Sequence, residues 1–150
     1  MVLVAGAALA LDLLPPDRAF ALSARALNDH TLEARFNVAD GYYLYRDKLK
    51  FGVEPAAAGP LKPVLPPGKM KHDEFFGDVQ TYRGLVILQL PMAHAEPGSR
   101  IKLATESQGC ADAGVCFPPQ VQELTIDVPA AGAGPSALVD ASAGKLPWMR

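Results

Sequence analysis

Two cysteines, Cys110 and Cys116, lie six positions apart in the run Gly109-Cys110-Ala111-Asp112-Ala113-Gly114-Val115-Cys116-Phe117-Pro118-Pro119. Thiols so placed serve a metal site, a structural bridge or reversible thiol–disulfide exchange. Zinc asks for four ligands, and His30, His72 and His94 stand singly, with no two at the spacing that would put both on one metal. No metal site is therefore expected, and a copper or haem chaperone, which needs organised His or Met ligands, ranks last. A bridge between Cys110 and Cys116 would close a small ring whose chain-entropy gain is modest, on the order of 2–3 kcal/mol. On spacing alone, a structural staple and an exchange centre both stand. Gly109 and Gly114, expected to give the ring backbone freedom, and the rigid exit Phe117-Pro118-Pro119 favour exchange, which needs an accessible sulfur and a clear line of attack.

Other chemistry finds little support. The chain has no glycine-rich phosphate loop, dinucleotide fingerprint, nucleophile-elbow serine or His-Glu-x-x-His. With 14 Lys plus Arg against 16 Asp plus Glu, its formal net charge of −2 excludes a strongly basic nucleic-acid binder, so no nucleic-acid partner is expected. The alternating pairs Lys48/Lys50 and Lys69/Lys71 read as solvent-facing strand positions, and Tyr42, Tyr43 and Tyr45 as core and edge aromatics. The segment His72-Asp73-Glu74-Phe75-Phe76-Gly77 is odder: it sets two carboxylates beside two adjacent aromatic rings, and something must cover those rings.

The elements that position these residues are strands. A chain of 150 residues, 49% hydrophobic, suffices for one core, and its 14 prolines and 13 glycines favour many short strands over long helices. Leu32, Ala34, Phe36 and Val38 alternate against Thr31, Glu33, Arg35 and Asn37, and Asn28-Asp29 marks a turn after Phe20 to Leu27, which together make a hairpin. Further strands are expected at Tyr42 to Tyr45, Lys48 to Val53, Gly84 to Leu90, Arg100 to Thr105 and Val121 to Val128. Pro55, Pro60, Pro63, Pro66 and Pro67 make the middle a long irregular connection. The pattern predicts an all-β fold, a two-sheet antiparallel sandwich.

Three zones follow. Residues 1–16 read as a signal-peptide remnant or N-terminal linker: Met1 to Leu11 is apolar, Ala8-Leu9-Ala10 has the form of a cleavage site, and the missing basic start places the true beginning upstream. Residues 17–129 form the patterned domain. Residues 130–150 read as a flexible tether that ends in Lys145-Leu146-Pro147-Trp148-Met149-Arg150, carrying the only tryptophan, with the natural polypeptide expected to continue beyond it.

Three motifs in order, Asp40-Gly41-Tyr42-Tyr43-Leu44-Tyr45-Arg46, Asp73-Glu74-Phe75-Phe76-Gly77 and Gln108 to Pro119, closely resemble the family of N-terminal periplasmic domains of the thiol:disulfide interchange protein DsbD. The resemblance covers about Pro15 to Val128. It implies an immunoglobulin-like antiparallel β-sandwich with a cap loop over a redox-active cysteine pair. Cys116 matches the cysteine that forms the mixed disulfide with partners, and Cys110 the one that resolves it. Phe75 matches the aromatic at the tip of the cap, with Asp73, Glu74, Phe76 and Gly77 completing it, while Tyr43 and Tyr45 match tyrosines that line the site. Phe76 stands where the family commonly has Tyr, which removes a hydroxyl. Asp112, inside the cysteine loop, is a further candidate lining residue.

The resemblance also implies a protein-disulfide reductase relay. Electrons would come from a thioredoxin-like domain of the same longer protein and pass to a periplasmic disulfide isomerase and to thioredoxin-like proteins of cytochrome c maturation. No cofactor is implied. Location would be periplasmic, with the full-length protein in the bacterial inner membrane through downstream segments. The competing expectation is a non-catalytic sandwich binding module whose bridge is only structural. In the reduced form, carboxylates at Asp73, Glu74 or Asp112 would raise the thiol pKa by disfavouring a second negative charge on a nearby sulfur, leaving Cys116 a sluggish nucleophile until a partner displaces the cap.

Overall fold

Alternation of apolar and polar residues becomes strand pairing along most of the chain. The computed structural model describes residues 12–141. After one helical turn, α1 (Pro16–Ala19), come β1 (Phe20–Ala26), β2 (Thr31–Val38), β3 (Tyr42–Tyr45), β4 (Lys50–Glu54), β5 (Lys69–Asp73), β6 (Gly77–Tyr82), β7 (Gly84–Pro91), β8 (Arg100–Ser107), β9 (Gly109–Ala111), β10 (Val115–Cys116), β11 (Gln120–Asp127) and β12 (Val139–Asp140). They assemble into a four-stranded sheet ordered β12-β1-β2-β7, a three-stranded sheet β11-β8-β4 and a five-stranded sheet β10-β9-β3-β6-β5. The strand pairs are antiparallel, and the architecture is the immunoglobulin-like sandwich expected from the sequence.

Every second residue of β1, β2 and β7 turns inward, so Phe20, Leu22, Ala24, Leu32, Ala34, Phe36, Val86, Leu88 and Leu90 meet Ile101, Leu103, Leu124 and Ile126 of the facing sheet in one core. Each large aliphatic or aromatic side chain so buried contributes about 1.5–3 kcal/mol. Strand β3 departs from alternation because both its faces are covered. Tyr42 and Leu44 join the main core, whereas Tyr43 and Tyr45 form a second, smaller cluster with Cys110, against which Val79 and Cys116 pack. That second cluster is the floor of the site.

The sequence marks β5 only through the alternating pair Lys69/Lys71 and does not mark β6, and their residues explain the weak signal. Lys69 to Asp73 and Gly77 to Tyr82 bury few side chains, so no apolar stripe marks them. The proline-rich connection before them is irregular as expected, and it lies along the edge of β7, where the Lys62 and Val64 amides donate to the Pro91 and Gln89 carbonyls, each at 2.9 Å. Such cover protects an edge that would otherwise present unpaired backbone groups.

At the N-terminal end, Leu13 and Leu14 already pack on the core, and the Leu14 amide donates to the Tyr42 hydroxyl at 2.8 Å. At the other end, the stretch read as a tether from Ala130 is laid beside β1 as far as Ala141: β12 pairs with β1, and the Ser136 amide donates to the Ala26 carbonyl at 2.9 Å. The signal-like residues 1–10 and the terminal segment with Trp148 lie outside the described residues. Among the described residues, no helix is long and apolar enough to cross a membrane.

Candidate functional site

The cysteines are carried by the β9–β10 hairpin, in which Cys110 and Cys116 stand directly opposite each other and are joined by a disulfide. Gly114 makes the reversal possible with a φ of +98°, a conformation that side chains disfavour. Through β9 the hairpin pairs with β3, setting Cys110 across from Tyr43 and Gly109 across from Leu44. Gly109 is required here for space and not for the freedom expected of it. A Cβ at this position would run into the Tyr43 carbonyl oxygen and come within 2.5 Å of Phe20 Cζ, so only glycine lets the hairpin lie this close. On the second leg, Phe117 follows Cys116 directly and roots it in the core, edge-on to Phe20 with centroids 5.9 Å apart and stacked on Tyr42 at 6.2 Å.

A second hairpin, β5–β6, supplies the cap, and its loop runs Asp73-Glu74-Phe75-Phe76-Gly77. Asp73 Oδ1 accepts the backbone amides of Phe75 at 2.7 Å and Phe76 at 2.9 Å, an aspartate turn that folds the loop from within. Gly77 closes it at a φ of +74°. The other oxygen, Oδ2, accepts the hydroxyls of Tyr43 at 2.6 Å and Tyr45 at 2.8 Å. One buried carboxylate therefore both shapes the cap and fastens it to β3.

Phe76 sets its ring edge-on to Tyr45, centroids 5.0 Å apart, beneath the Lys48 ammonium at 4.5 Å. These are contacts of the ring itself, so the hydroxyl absent at this position is not needed for the packing. Phe75, by contrast, is 58% exposed and lines a cleft of about 130 Å³ together with Cys116, Glu74 and Asp112. Cys110 is fully buried while Cys116 is only half-buried and lines that cleft, so Cys116 is the more accessible of the two cysteines.

The Tyr45 hydroxyl oxygen lies 2.9 Å from Cys110 Sγ and 3.7 Å from Cys116 Sγ. A disulfide has no S–H, and Tyr45 has one proton, which the carboxylate of Asp73 takes in preference to a weakly accepting sulfur. Burial pushes the Asp73 carboxyl up, but the hydrogen bonds from Tyr43, Tyr45 and the two backbone amides outweigh it and hold the group below the ordinary carboxylate value. Burial first, and then the neighbouring Asp73, push the Tyr43 phenol up to about 12 and the Tyr45 phenol higher still. Both tyrosines thus remain donors throughout the physiological range.

Asp112 is not a bare charge. Arg83, from the corner between β6 and β7, donates to both its oxygens at 2.7 and 2.9 Å, and this hydrogen bonding holds the carboxyl below its ordinary value. Glu74 has no ion-pair or hydrogen-bond partner among the described residues. All ten candidate residues, Cys110, Cys116, Asp73, Glu74, Phe75, Phe76, Gly77, Tyr43, Tyr45 and Asp112, meet at this one place. Arg83 and Lys48 were not among the candidates, and Phe117 was read only as part of a rigid exit. Arg83 and Asp112 are 29 positions apart and carry no local signal of pairing.

Comparison with known proteins meets the same stretch of chain. A family model described as "Thiol:disulfide interchange protein DsbD, N-terminal" matches residues 10–128. The chain is 40% identical over 151 aligned positions to the thiol:disulfide interchange protein DsbD of Ralstonia nicotianae, covering 96% of this chain and 24% of that protein. It is 44% identical over 127 positions to DsbD 2 of Pseudomonas aeruginosa, covering 84% of this chain and 19% of that protein. The chain therefore spans about a quarter or less of these relatives. Among solved structures, the reduced N-terminal domain of Neisseria meningitidis DsbD superposes with a TM-score of 0.71 at 36% identity, covering 86% of this chain and 95% of that one. The same domain in complex with the PilB N-terminal domain gives 0.63 at 38% identity, covering 84% and 93%. With a cysteine hairpin roofed by an aspartate-folded loop on a sandwich, and with agreement on these scales, the chain belongs to the family of N-terminal domains of the thiol:disulfide interchange protein DsbD.

Proposed function

We propose that this chain is a thiol:disulfide exchange relay. It would receive electrons from a thioredoxin-like domain of the same longer protein and pass them to disulfides of periplasmic partners. The observation that carries the reading is the asymmetry of the bridge, with Cys116 opening into the cleft and Cys110 buried against Tyr45. An incoming thiolate attacks Cys116 Sγ, the S–S bond breaks, and Cys110 leaves with the electron pair beside the Tyr45 hydroxyl. Once protonated, Cys110 has an S–H to donate to the Tyr45 oxygen, while Tyr45 continues to donate to Asp73, so the chain of hydrogen bonds survives reduction. In the reverse direction Cys116 attacks the partner's disulfide and Cys110 resolves the adduct.

In this reading Phe75 and the rest of the cap shield Cys116 until a partner displaces them. The partners are thioredoxin-like proteins, including a disulfide isomerase and those of cytochrome c maturation, in the periplasm, and the longer protein sits in the inner membrane. A solved relative in complex with the PilB N-terminal domain supports partner docking as a property of the family. The test is adduct trapping. Cys110→Ser should accumulate a mixed disulfide through Cys116 when mixed with an oxidised thioredoxin-like protein, and Cys116→Ser should not. A purely structural bridge would yield no adduct in either variant.

A further inference from the structure

Arg83 lies outside every motif of the sequence, yet it bridges the cysteine hairpin and the adjoining strand β3. Its Nη1 and Nη2 grip the two oxygens of Asp112 at 2.9 and 2.7 Å. Nη1 also donates to the Tyr42 carbonyl at 3.2 Å, and the guanidinium lies over the Tyr43 ring, 5.4 Å from its centroid. Carboxylate, carbonyl and ring together fix the group in one orientation, whereas a single surface ion pair would leave it free.

The consequence is electrostatic. Asp112 and Cys116 line the same cleft, together with Lys71, His72, Asp73 and Glu74. Asp73 is occupied by four hydrogen bonds and His72 by Asp78. Asp73 keeps its negative charge but is buried beneath its donors, and at the rim stand Lys71 and Glu74, of opposite charge, and Asp112 with its partner Arg83. We propose that Arg83 is a positioning residue for the exchange: by gripping Asp112 at the rim of the cleft it cancels a charge that would repel an anionic thiolate approaching Cys116. The inference rests on the exchange reading above and adds to it the residue that removes the Asp112 charge from the line of approach.

Small thiols test it on the oxidised 150-residue chain. A thiolate RS⁻ attacks Cys116 Sγ, the disulfide breaks, and Cys110 leaves as a thiolate that takes a proton from water. A second RS⁻ attacks the mixed disulfide, releasing RSSR and the Cys116 thiolate, so two electrons pass from two probe thiols to the pair. Reduction is followed by alkylation and mass, at low ionic strength and equal thiolate concentration, with 2-mercaptoethanesulfonate, which carries an extra negative charge, and with cysteamine, whose ammonium balances the thiolate. The ratio of the two rates is the readout, because a loosened hairpin would move both rates together.

Arg83→Met should lower the sulfonate-to-amine ratio by about threefold or more. Asp112→Asn, which leaves the guanidinium without its anion, should raise it, and the double variant should return toward the wild-type ratio. Arg83→Lys should rescue most of the effect, and about 0.5 M salt should collapse it. An unchanged ratio in both single variants, or an equal slowing of both thiols in Arg83→Met, overturns the proposal. If Arg83→Met does not fold, Asp112→Asn decides alone, through the sign of its shift. A wild-type disulfide inert to both thiols would instead overturn the exchange reading itself, and the proposal with it.

Discussion

The Tyr45 hydroxyl oxygen lies 2.9 Å from the buried sulfur of Cys110, at the end of a hydrogen bond that Tyr45 gives to Asp73. The redox pair and the cap are thereby joined through a single phenol. In the oxidised protein the sulfur receives no proton from it, whereas in the reduced protein a Cys110 S–H has an oxygen to donate to. Reduction therefore gains a contact that oxidation lacks.

Tyr45→Phe should remove that contact and one donor to Asp73. A stability loss of about 1–2 kcal/mol is expected from the orphaned acceptor. Because the reduced form loses more than the oxidised form, the potential of the pair should also move to more negative values, by about 20 mV. Denaturant titration of both redox states reads the first effect and equilibrium with a reference dithiol the second; an unmoved potential would break the proposed coupling.

Acid should release the cap. The Asp73 carboxyl is held below its ordinary value in the fold, so its contribution to stability is fully present above the unfolded value, about 3.9, and is lost as pH falls through the folded one. The wild-type unfolding midpoint should therefore drop from about pH 4 downward. Asp73→Asn should be less stable at neutral pH and should show a shallower acid slope, with Asp112, Glu33 and Asp29, whose carboxyls are also lowered, supplying what slope remains. Denaturant midpoints measured between pH 2 and 7 for the two proteins check this, and parallel curves would contradict it.

Phe75 touches little but overhangs the cleft. Phe75→Ala should leave stability within about 0.5 kcal/mol, as for an exposed position, and should raise the alkylation rate of reduced Cys116 by iodoacetamide severalfold. An unchanged rate would remove the shielding role from this side chain.

Gly109→Ala tests how the hairpin is seated. The added methyl would meet the Tyr43 carbonyl and Phe20, both of them packed groups that cannot simply swing away. A loss of about 1–3 kcal/mol is expected, the cost of overpacking a filled site. Unfolding measured with the disulfide intact should show it, and a neutral outcome would mean that β9 lifts off β3 freely.

The readability of this chain followed how its surfaces are covered. Strands with one wet face, such as β2 with Leu32, Ala34, Phe36 and Val38 inward, wrote their register into the sequence. Strand β3, covered on both faces, and strands β5 and β6, which bury few side chains, show no apolar alternation, so β5 is marked only by the pair Lys69/Lys71 and β6 is not marked at all. At the site, the cysteines, the tyrosines and the cap could be singled out by type and motif. What stayed hidden were the contacts made only by topology. Asp73, legible as one member of the cap and one of several nearby charges, is the residue that folds the cap, and Arg83 finds Asp112 only because β6, β3 and β9 are neighbours.

The central claim is that the Cys110–Cys116 bond exchanges electrons with partners and does not merely close a loop. The most direct measurement is its equilibrium reduction potential, by titration in thiol/disulfide buffers with alkylation and mass readout. A value within about −120 to −270 mV is predicted, the range of thiol oxidoreductases that trade electrons at equilibrium. A value below about −300 mV would mark a bond resistant to reduction and would contradict the relay.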